Sequence, residues 1–147
     1  KIEPAAALPA HRFNMLKAFQ KTGAVTGVHD MPIIPFLTDT DEILESLFEG
    51  AICCGANYIL TQPLNLKGRT KEVFFEFIWN QFPSLLEDLN ALYREAEEKR
   101  RYKRKLYQRI KTLERKYNIS GRYMESAKGK FKLKEPARDK ETQLTFL

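Results

Sequence analysis

The stretch GAVTGVHDMPIIPFLTDTDEI (residues 23–43) has the pattern of a buried strand, a turn with two prolines and the start of a helix. The strand prediction rests on residues 24–29, which are rich in small and β-branched side chains, as in buried parallel strands. A strand joined to a helix by a short loop is a unit of α/β folds, in which ligands bind at the carboxyl ends of the strands. We therefore expect the functional site near residues 30–39.

Helix and strand patterns alternate on both sides of this stretch. Apolar residues at helical spacing precede Gly23, which is a natural end for a first helix. Thr38 or Asp39 is the expected cap of the next helix, because an acidic residue follows three positions later. Residues 57–61 (NYILT) then predict a second short strand. The expected order is helix, strand, helix, strand.

Two further helices are expected in the second half of the chain. A third helix begins at Thr70 or Lys71. An S-x-x-E capping box from Ser84 to Glu87 then opens a long helix, whose apolar stripe lapses at residues 99–101, where we expect a bend. These patterns divide the chain into α/β units (1–83), a long basic helical extension (84–119) and a polar, irregular tail (120–147).

Composition favours a cytoplasmic protein whose positive charge lies in one segment. The 147 residues have a formal net charge of +6, and residues 94–116 hold eleven Lys or Arg against four Glu. Cys53 and Cys54 are adjacent, so they form neither a CxxC metal knuckle nor a secreted disulfide framework. No apolar run approaches the length of about 18 residues that a membrane span needs. Because the chain starts at Lys1 and two strands make no stable sheet, we expect a fragment of a longer protein.

An ordered set of motifs along the chain resembles one enzyme family. The set comprises Glu3-Pro4, Arg12 at a helix start, Gly23, MPIIPFLTD at 31–39, Gly55-Ala56, a Leu-containing strand end, residues 77–83, the Tyr-rich basic residues 102–117 and QLTF at 143–146. It resembles the radical S-adenosylmethionine proteins, and more narrowly their spore photoproduct lyase-like branch, often labelled DNA repair photolyase. Phe36 departs from the family pattern, which usually has Gly at that position.

The resemblance implies a fold, two cofactors and a missing segment. The family fold is a partial (β/α)6 barrel of the TIM type, so the chain would be its last third, followed by a long C-terminal helix. The family holds a [4Fe–4S] cluster in a CxxxCxxC loop and cleaves S-adenosylmethionine there, giving a radical that abstracts hydrogen from the substrate. This chain has no such loop. The resemblance therefore implies that the chain is inactive and binds no cofactor without the N-terminal part of the barrel.

The resemblance also assigns residues to the S-adenosylmethionine pocket. Pro32, Ile33 and Ile34, beyond the first strand, would line it, and Leu60, Thr61 and Gln62, which end the second strand, would border it. Glu3 would bind the ribose hydroxyls and Arg12 the methionyl carboxylate, since a guanidinium suits a carboxylate. Simpler roles stay open for the isoleucines, as core residues, and for Arg12, in a salt bridge to Glu3 or Asp30.

Two polar positions near the first strand have structural explanations. His29 and Asp30 could form a metal or general-base pair, but no third ligand is near, so a hydrogen-bonded histidine at the strand end is favoured. Asp39 matches an Asp of the family pattern, and a helix N-cap role accounts for it. No catalytic or metal-binding residue is assigned.

The basic helix supports an alternative function, nucleic-acid binding without catalysis. Lysine and arginine neutralise phosphates, and the interleaved tyrosines of this helix suit stacking on bases. The expected binding residues are Lys99, Arg100, Arg101, Lys103, Arg104 and Lys105. The competing interpretation is a solvated helix face whose long side chains cover apolar surface.

The incomplete sheet also predicts that the fragment associates with itself. Its strand edges and helix faces lack the neighbours that a complete barrel would provide. We expect this association to bury Ile33, Leu60 and the stripe of Phe74 and Phe77.

Overall fold

The computed structural model describes residues 5–123, which form a mixed α/β structure of five α-helices and a two-stranded parallel sheet. In chain order the elements are α1 (Pro9–Gln20), β1 (Gly27–Ile33), α2 (Asp41–Cys53), β2 (Tyr58–Pro63), α3 (Gly68–Gln81), a 3₁₀ helix (Pro83–Leu85), α4 (Leu86–Arg94) and α5 (Ala96–Lys116). Glu3 and residues 124–147, which hold most of the predicted tail, lie outside the described residues.

β1 and β2 pair in parallel, so their carboxyl ends lie at the same edge of the sheet. Gly27 is opposite Tyr58 and Asp30 is opposite Thr61, and the register shifts after Asp30. β1 continues through Pro32, where the prolines predicted irregular structure. A proline is tolerated at this point because the ladder of hydrogen bonds is already interrupted there.

The turn between β1 and α2 uses the two residues that were expected to cap α2. The hydroxyl of Thr38 accepts a hydrogen bond from the Ile34 N–H at 2.7 Å, and a carboxylate oxygen of Asp39 accepts one from the Phe36 N–H at 2.7 Å. The cap of α2 is instead Thr40, whose hydroxyl accepts from the Ile43 N–H at 3.3 Å. The predicted caps were wrong because Thr and Asp side chains accept hydrogen bonds from backbone N–H groups in turns as readily as at helix starts.

The helices that follow β2 differ from the prediction in their starts and in the place of the break. α3 begins at Gly68 rather than at Thr70 or Lys71. Ser84 lies in the 3₁₀ helix, and no side chain caps α4, so the expected capping box is absent. The break falls at Glu95, which has an extended backbone with φ −98° and ψ 122°.

The predicted bend at residues 99–101 is also wrong, since α5 passes through them without interruption. Glu97 pairs with Arg100 at 2.8 Å and Glu98 pairs with Arg101 at 3.2 Å. Ion pairs three residues apart support a helix where its apolar stripe lapses.

One hydrophobic core joins the sheet to α2 and α5. Its buried members come from β1, α2, β2, α5 and the segment after α5, and they are Ile33, Leu44, Phe48, Ala51, Ile59, Leu106, Ile110 and Ile119. The apolar stripe of the basic helix thus packs on the same core as the α/β units. Beyond α5, the Ser120 carbonyl accepts a hydrogen bond from the Ile59 N–H at 3.0 Å, so the chain returns beside β2.

The outer surface of the described chain bears several apolar side chains on α1 and α3. None of the α1 residues is buried, and Phe19 is exposed, as is Trp79 on α3. No helix within residues 5–123 is both long and apolar enough to cross a membrane.

Candidate functional site

The candidate site comprises two grooves beside β1, one along its first half and one at its carboxyl end. The first, which we call the α1 groove, has a volume of about 750 Å³ and lies between α1 and β1. The second, the α3 groove, has a volume of about 580 Å³ and lies between the end of β1 and α3. Of residues 30–39, where the sequence predicts the site, Asp30 lines the first groove and Pro32 and Ile34 line the second.

The α1 groove combines an apolar wall with three polar side chains. Phe13 and Leu16 of α1 and Leu47 of α2 contribute to the wall, and Arg12, His29 and Asp30 are the charged or titratable groups on it. The Arg12 Nε donates a hydrogen bond to the Ala7 carbonyl at 2.9 Å. A cavity with apolar walls and a few convergent polar groups is the usual form of a small-molecule site.

Asp30 is the titratable group most altered by its position in this groove. Burial raises the pKa of the Asp30 carboxyl to about 6. No hydrogen bond or ion pair to its side chain is found within residues 5–123, so nothing in this part of the chain offsets the lost hydration. A carboxyl with such a pKa exchanges a proton near neutral pH, as a general base does.

The raised pKa of Asp30 predicts a pH-dependent stability that Asp30→Asn removes. The folded chain holds the Asp30 proton between pH 3.8, the ordinary value, and pH 6, whereas the unfolded chain releases it. Relative to Asp30→Asn, wild-type stability therefore falls as pH rises through this window, by about 1–2 kcal/mol after allowance for solvent exposure. Urea unfolding of both proteins at several pH values between about 4 and 7 measures the difference. If the free energies of unfolding of the wild type and of Asp30→Asn changed equally with pH, the prediction would be contradicted.

His29 is a hydrogen-bonded strand residue, as the sequence favoured. Its Nε2 lies 3.4 Å from the Tyr58 hydroxyl, and the two rings are 5.8 Å apart between centroids. Tyr58 in turn contacts Tyr123 edge-on at 5.3 Å. The imidazole is thus engaged with an aromatic cluster rather than with Asp30.

The residues predicted to line the S-adenosylmethionine pocket are not gathered into one cavity. Pro32 and Ile34 line the α3 groove together with Phe74 and Phe77, whereas Arg12 lines the α1 groove. Ile33 has no exposed surface and belongs to the core, so its side chain is inaccessible both to a ligand and to a second copy of the chain. The remaining expected residues lie in β2 outside both grooves, Leu60 and Thr61 half-buried and Gln62 exposed.

The turn after β1, which borders the α3 groove at Ile34, is held by Asp39, a residue that the sequence assigned to a helix cap. Its second carboxylate oxygen accepts a hydrogen bond from the Tyr102 hydroxyl at 2.9 Å. Arg109 donates to the Asp39 carbonyl at 2.5 Å and forms an ion pair with Asp41. Two α5 side chains thus fix the turn, and no local pattern predicts them because they lie more than sixty residues away.

The turn contains one residue with a left-handed backbone. Phe36 has φ 64°, in the left-handed region that glycine adopts without a steric penalty. The hydrogen bond from the Phe36 N–H to Asp39 holds this conformation. Glycine, the usual residue of the resembled family, suits the same backbone.

Half of the residues expected to bind nucleic acid are paired within α5. Arg100 and Arg104 both contact Glu97, and Arg101 contacts Glu98. Lys99 donates to the Asn65 side-chain oxygen at 3.0 Å. Within the described residues, Lys103 and Lys105 form no ion pair. The charge that α5 offers to a partner is therefore smaller than its lysine and arginine count.

The described residues do not fit a metal cluster. Residues 5–123 contain no group of three or more His, Cys, Asp or Glu side chains placed to hold a metal ion. Cys53 and Cys54 are free thiols at the end of α2 and supply at most two ligands. A [4Fe–4S] cluster needs more thiolates than this part of the chain offers.

Comparison with known proteins gives relatives without a described activity. The chain is similar to proteins of Mycobacterium bovis and of two strains of Mycobacterium tuberculosis, each named an uncharacterized protein. Each is 27% identical over 121 residues, which cover 82% of this chain and 36% of the relative. The chain thus spans about a third of the length of these curated relatives. No family model matches it, and no solved structure matches it.

Proposed function

We propose that the chain is the C-terminal part of a radical S-adenosylmethionine enzyme of the spore photoproduct lyase-like branch. The main support is the strand register, because the expected cofactor segments, residues 32–34 and 60–62, belong to the carboxyl-terminal halves of neighbouring parallel strands or directly follow them. Ligands of α/β folds bind at the carboxyl ends of such strands. The left-handed backbone at Phe36 adds support, since the family pattern has Gly there.

The grooves suggest how this part of the chain would contribute to a cofactor pocket. Arg12 offers a guanidinium to a carboxylate, and Pro32 and Ile34 offer apolar contacts to a purine ring. In the proposed enzyme, reductive cleavage of S-adenosylmethionine supplies the hydrogen-abstracting species, and the cluster ligands come from a segment that this chain lacks. The two grooves are separate here, so we propose that the missing barrel segment completes the pocket between them.

The test uses the protein encoded by the whole reading frame to which this chain belongs. We expect a CxxxCxxC loop upstream of the chain and, after anaerobic reconstitution with iron and sulfide, an electron paramagnetic resonance signal of a reduced [4Fe–4S] cluster. Release of 5′-deoxyadenosine from S-adenosylmethionine under reducing conditions completes the expected result. A reading frame without this loop would overturn the proposal.

Arg12→Gln in that protein separates cofactor binding from folding. We expect the dissociation constant of S-adenosylmethionine to rise about tenfold, since one charged contact to the carboxylate is lost. Lys17→Gln is the matched control, because Lys17 is an exposed cation of α1 outside the α1 groove. Equal affinities of the two variants for S-adenosylmethionine would show that Arg12 does not bind this cofactor.

Nucleic-acid binding by α5 is the second candidate function. It is favoured by Lys103 and Lys105, which lack ion pairs within the described residues, and by Tyr107, which is exposed beside them. We expect affinity for an oligonucleotide to fall steeply with salt and to be lost when the charges at residues 99–105 are reversed. Absence of binding to DNA and to RNA at low salt would exclude this function.

A further inference from the structure

Four lysines from two helices meet beside the start of α3. Lys67 immediately precedes α3, and Lys71 lies in its first turn. Lys99 and Lys103 are one turn apart on α5. The positive charges of Lys67, Lys71 and Lys103 all act on the ammonium group of Lys99. We call these four residues the lysine cluster.

An aromatic pair under the lysine cluster holds two of its members together. The Lys71 Nζ lies 5.8 Å from the Phe75 ring centroid, and the Lys99 Nζ lies 5.5 Å from the Tyr93 ring centroid. Phe75 and Tyr93 contact each other edge-on at 6.3 Å. The Tyr93 hydroxyl donates to the Leu64 carbonyl at 2.8 Å, which anchors the pair to the end of β2. The cations are thus close because of packing, not because a carboxylate attracts them.

The lysine cluster has no negative partner within residues 5–123. None of its four side chains forms an ion pair there, and the nearby carboxylate of Glu98 is taken by Arg101. Burial and the charges of Lys103, Lys67 and Lys71 lower the pKa of Lys99. Like charges held together raise the free energy of the folded chain unless an anion lies between them.

The α3 helix adds positive potential at the same place. It has no acidic residue in its first turn, and no side chain of residues 5–123 caps the first N–H groups of its backbone. Lysines are unfavourable at this end of a helix, because the helix dipole is positive there. The cluster and the helix end therefore favour the same ligand charge.

We infer that the lysine cluster binds phosphate groups of a multiply charged ligand. Phosphate matches it in charge, and its oxygens accept hydrogen bonds from several ammonium groups at once. A nucleic-acid strand and a free polyphosphate both supply this chemistry. The site differs from the α5 surface of the second candidate function because half of it belongs to α3, and it is independent of the proposed radical enzyme.

The test compares two double variants of equal net charge in the 147-residue chain. Lys71→Gln/Lys103→Gln removes one lysine of each helix from the cluster. Lys17→Gln/Lys111→Gln is the control, because both residues are exposed and lie outside the lysine cluster and outside residues 99–105. The probes are tripolyphosphate, measured by calorimetry, and a labelled single strand of about 12 nucleotides, measured by fluorescence anisotropy at about 50 mM NaCl.

For at least one probe we expect the cluster variant to lose about tenfold or more in affinity while the control stays within about twofold. The probe that binds identifies the source of the phosphate. Thermal unfolding gives a second readout: tripolyphosphate or the strand raises the melting temperature of the wild type and not that of the cluster variant. Absence of binding to both probes, or equal losses in the two variants, would overturn the inference.

Discussion

Phe48→Ala is expected to lower the free energy of unfolding by about 3–5 kcal/mol, the largest stability loss that we expect from a single substitution. Phe48 is fully buried at the centre of the core between the sheet, α2 and α5. Its ring also lies 6.1 Å from the ring of Tyr117 at the end of α5. Truncation removes the transfer free energy of the ring and leaves a cavity that the surrounding helices only partly close.

Urea unfolding followed by circular dichroism measures this loss. Phe19→Ala is the matched control, because Phe19 is 58% exposed on α1, and we expect its effect to stay within about 0.5 kcal/mol. Phe48→Leu, with an expected loss of about 1–2 kcal/mol, keeps the measurement possible if the alanine variant is too unstable to fold. Similar losses for Phe48→Ala and Phe19→Ala would mean that Phe48 is not a core residue.

Asp39→Ala is expected to cost about 2–4 kcal/mol although Asp39 is a polar residue. Its carboxylate accepts hydrogen bonds from the Phe36 N–H and from the Tyr102 hydroxyl, and only 9% of the residue is exposed. The substitution leaves both donors without their acceptor in a half-buried turn. It also frees the left-handed backbone of Phe36, which the hydrogen bond holds.

A double-mutant cycle with Tyr102→Phe isolates the contact between the turn and α5. Burial, followed by the charge of Asp39 and its hydrogen bond, raises the pKa of Tyr102, so its hydroxyl stays a donor at all ordinary pH values. We expect a coupling free energy of about 1–2 kcal/mol. Asp41→Ala, which removes the more exposed carboxylate of the same segment, should cost less than about 1 kcal/mol. Additive losses for Asp39 and Tyr102 would show that their hydrogen bond contributes no stability.

Both predictions concern side chains that hold the site rather than line it. Asp39 and Phe48 connect the turn after β1 and the helix α2 to α5, the helix that also provides Lys99 and Lys103. We therefore expect a loss at either position to disturb α5 and, with it, the lysine cluster. Binding measurements on such variants need a check of the folded fraction at the same temperature.

Local chemistry was sufficient to predict the alternation of helices and strands. Gly55 follows the end of α2 with φ 75°, a backbone that glycine adopts readily, and the strand predicted at residues 57–61 appears as β2. The stripe that contains Leu106 and Ile110 faces the core, because helical spacing alone places these residues on one side of α5. Such features depend on residues that are neighbours in sequence.

The errors in the prediction concern residues whose side chains can form more than one kind of local interaction. Thr38 and Asp39 have side chains that are typical of helix caps. In the folded chain they instead accept hydrogen bonds from N–H groups of the turn after β1. The run at residues 99–101 lacks apolar side chains, and ion pairs with Glu97 and Glu98 keep it helical. The break moved to Glu95, where no proline or glycine marks it.

The amino-acid sequence alone established the order of the elements, the two strands and the basic helix, because hydrophobic periodicity and turn chemistry act over a few residues. Only the tertiary structure decided that Ile33 is a core residue, that Asp39 binds Tyr102, and that Lys71 lies near Lys99. These are relations between segments up to 63 residues apart. Their free energies depend on distance, burial and the neighbours that folding brings together, and no local pattern encodes those quantities.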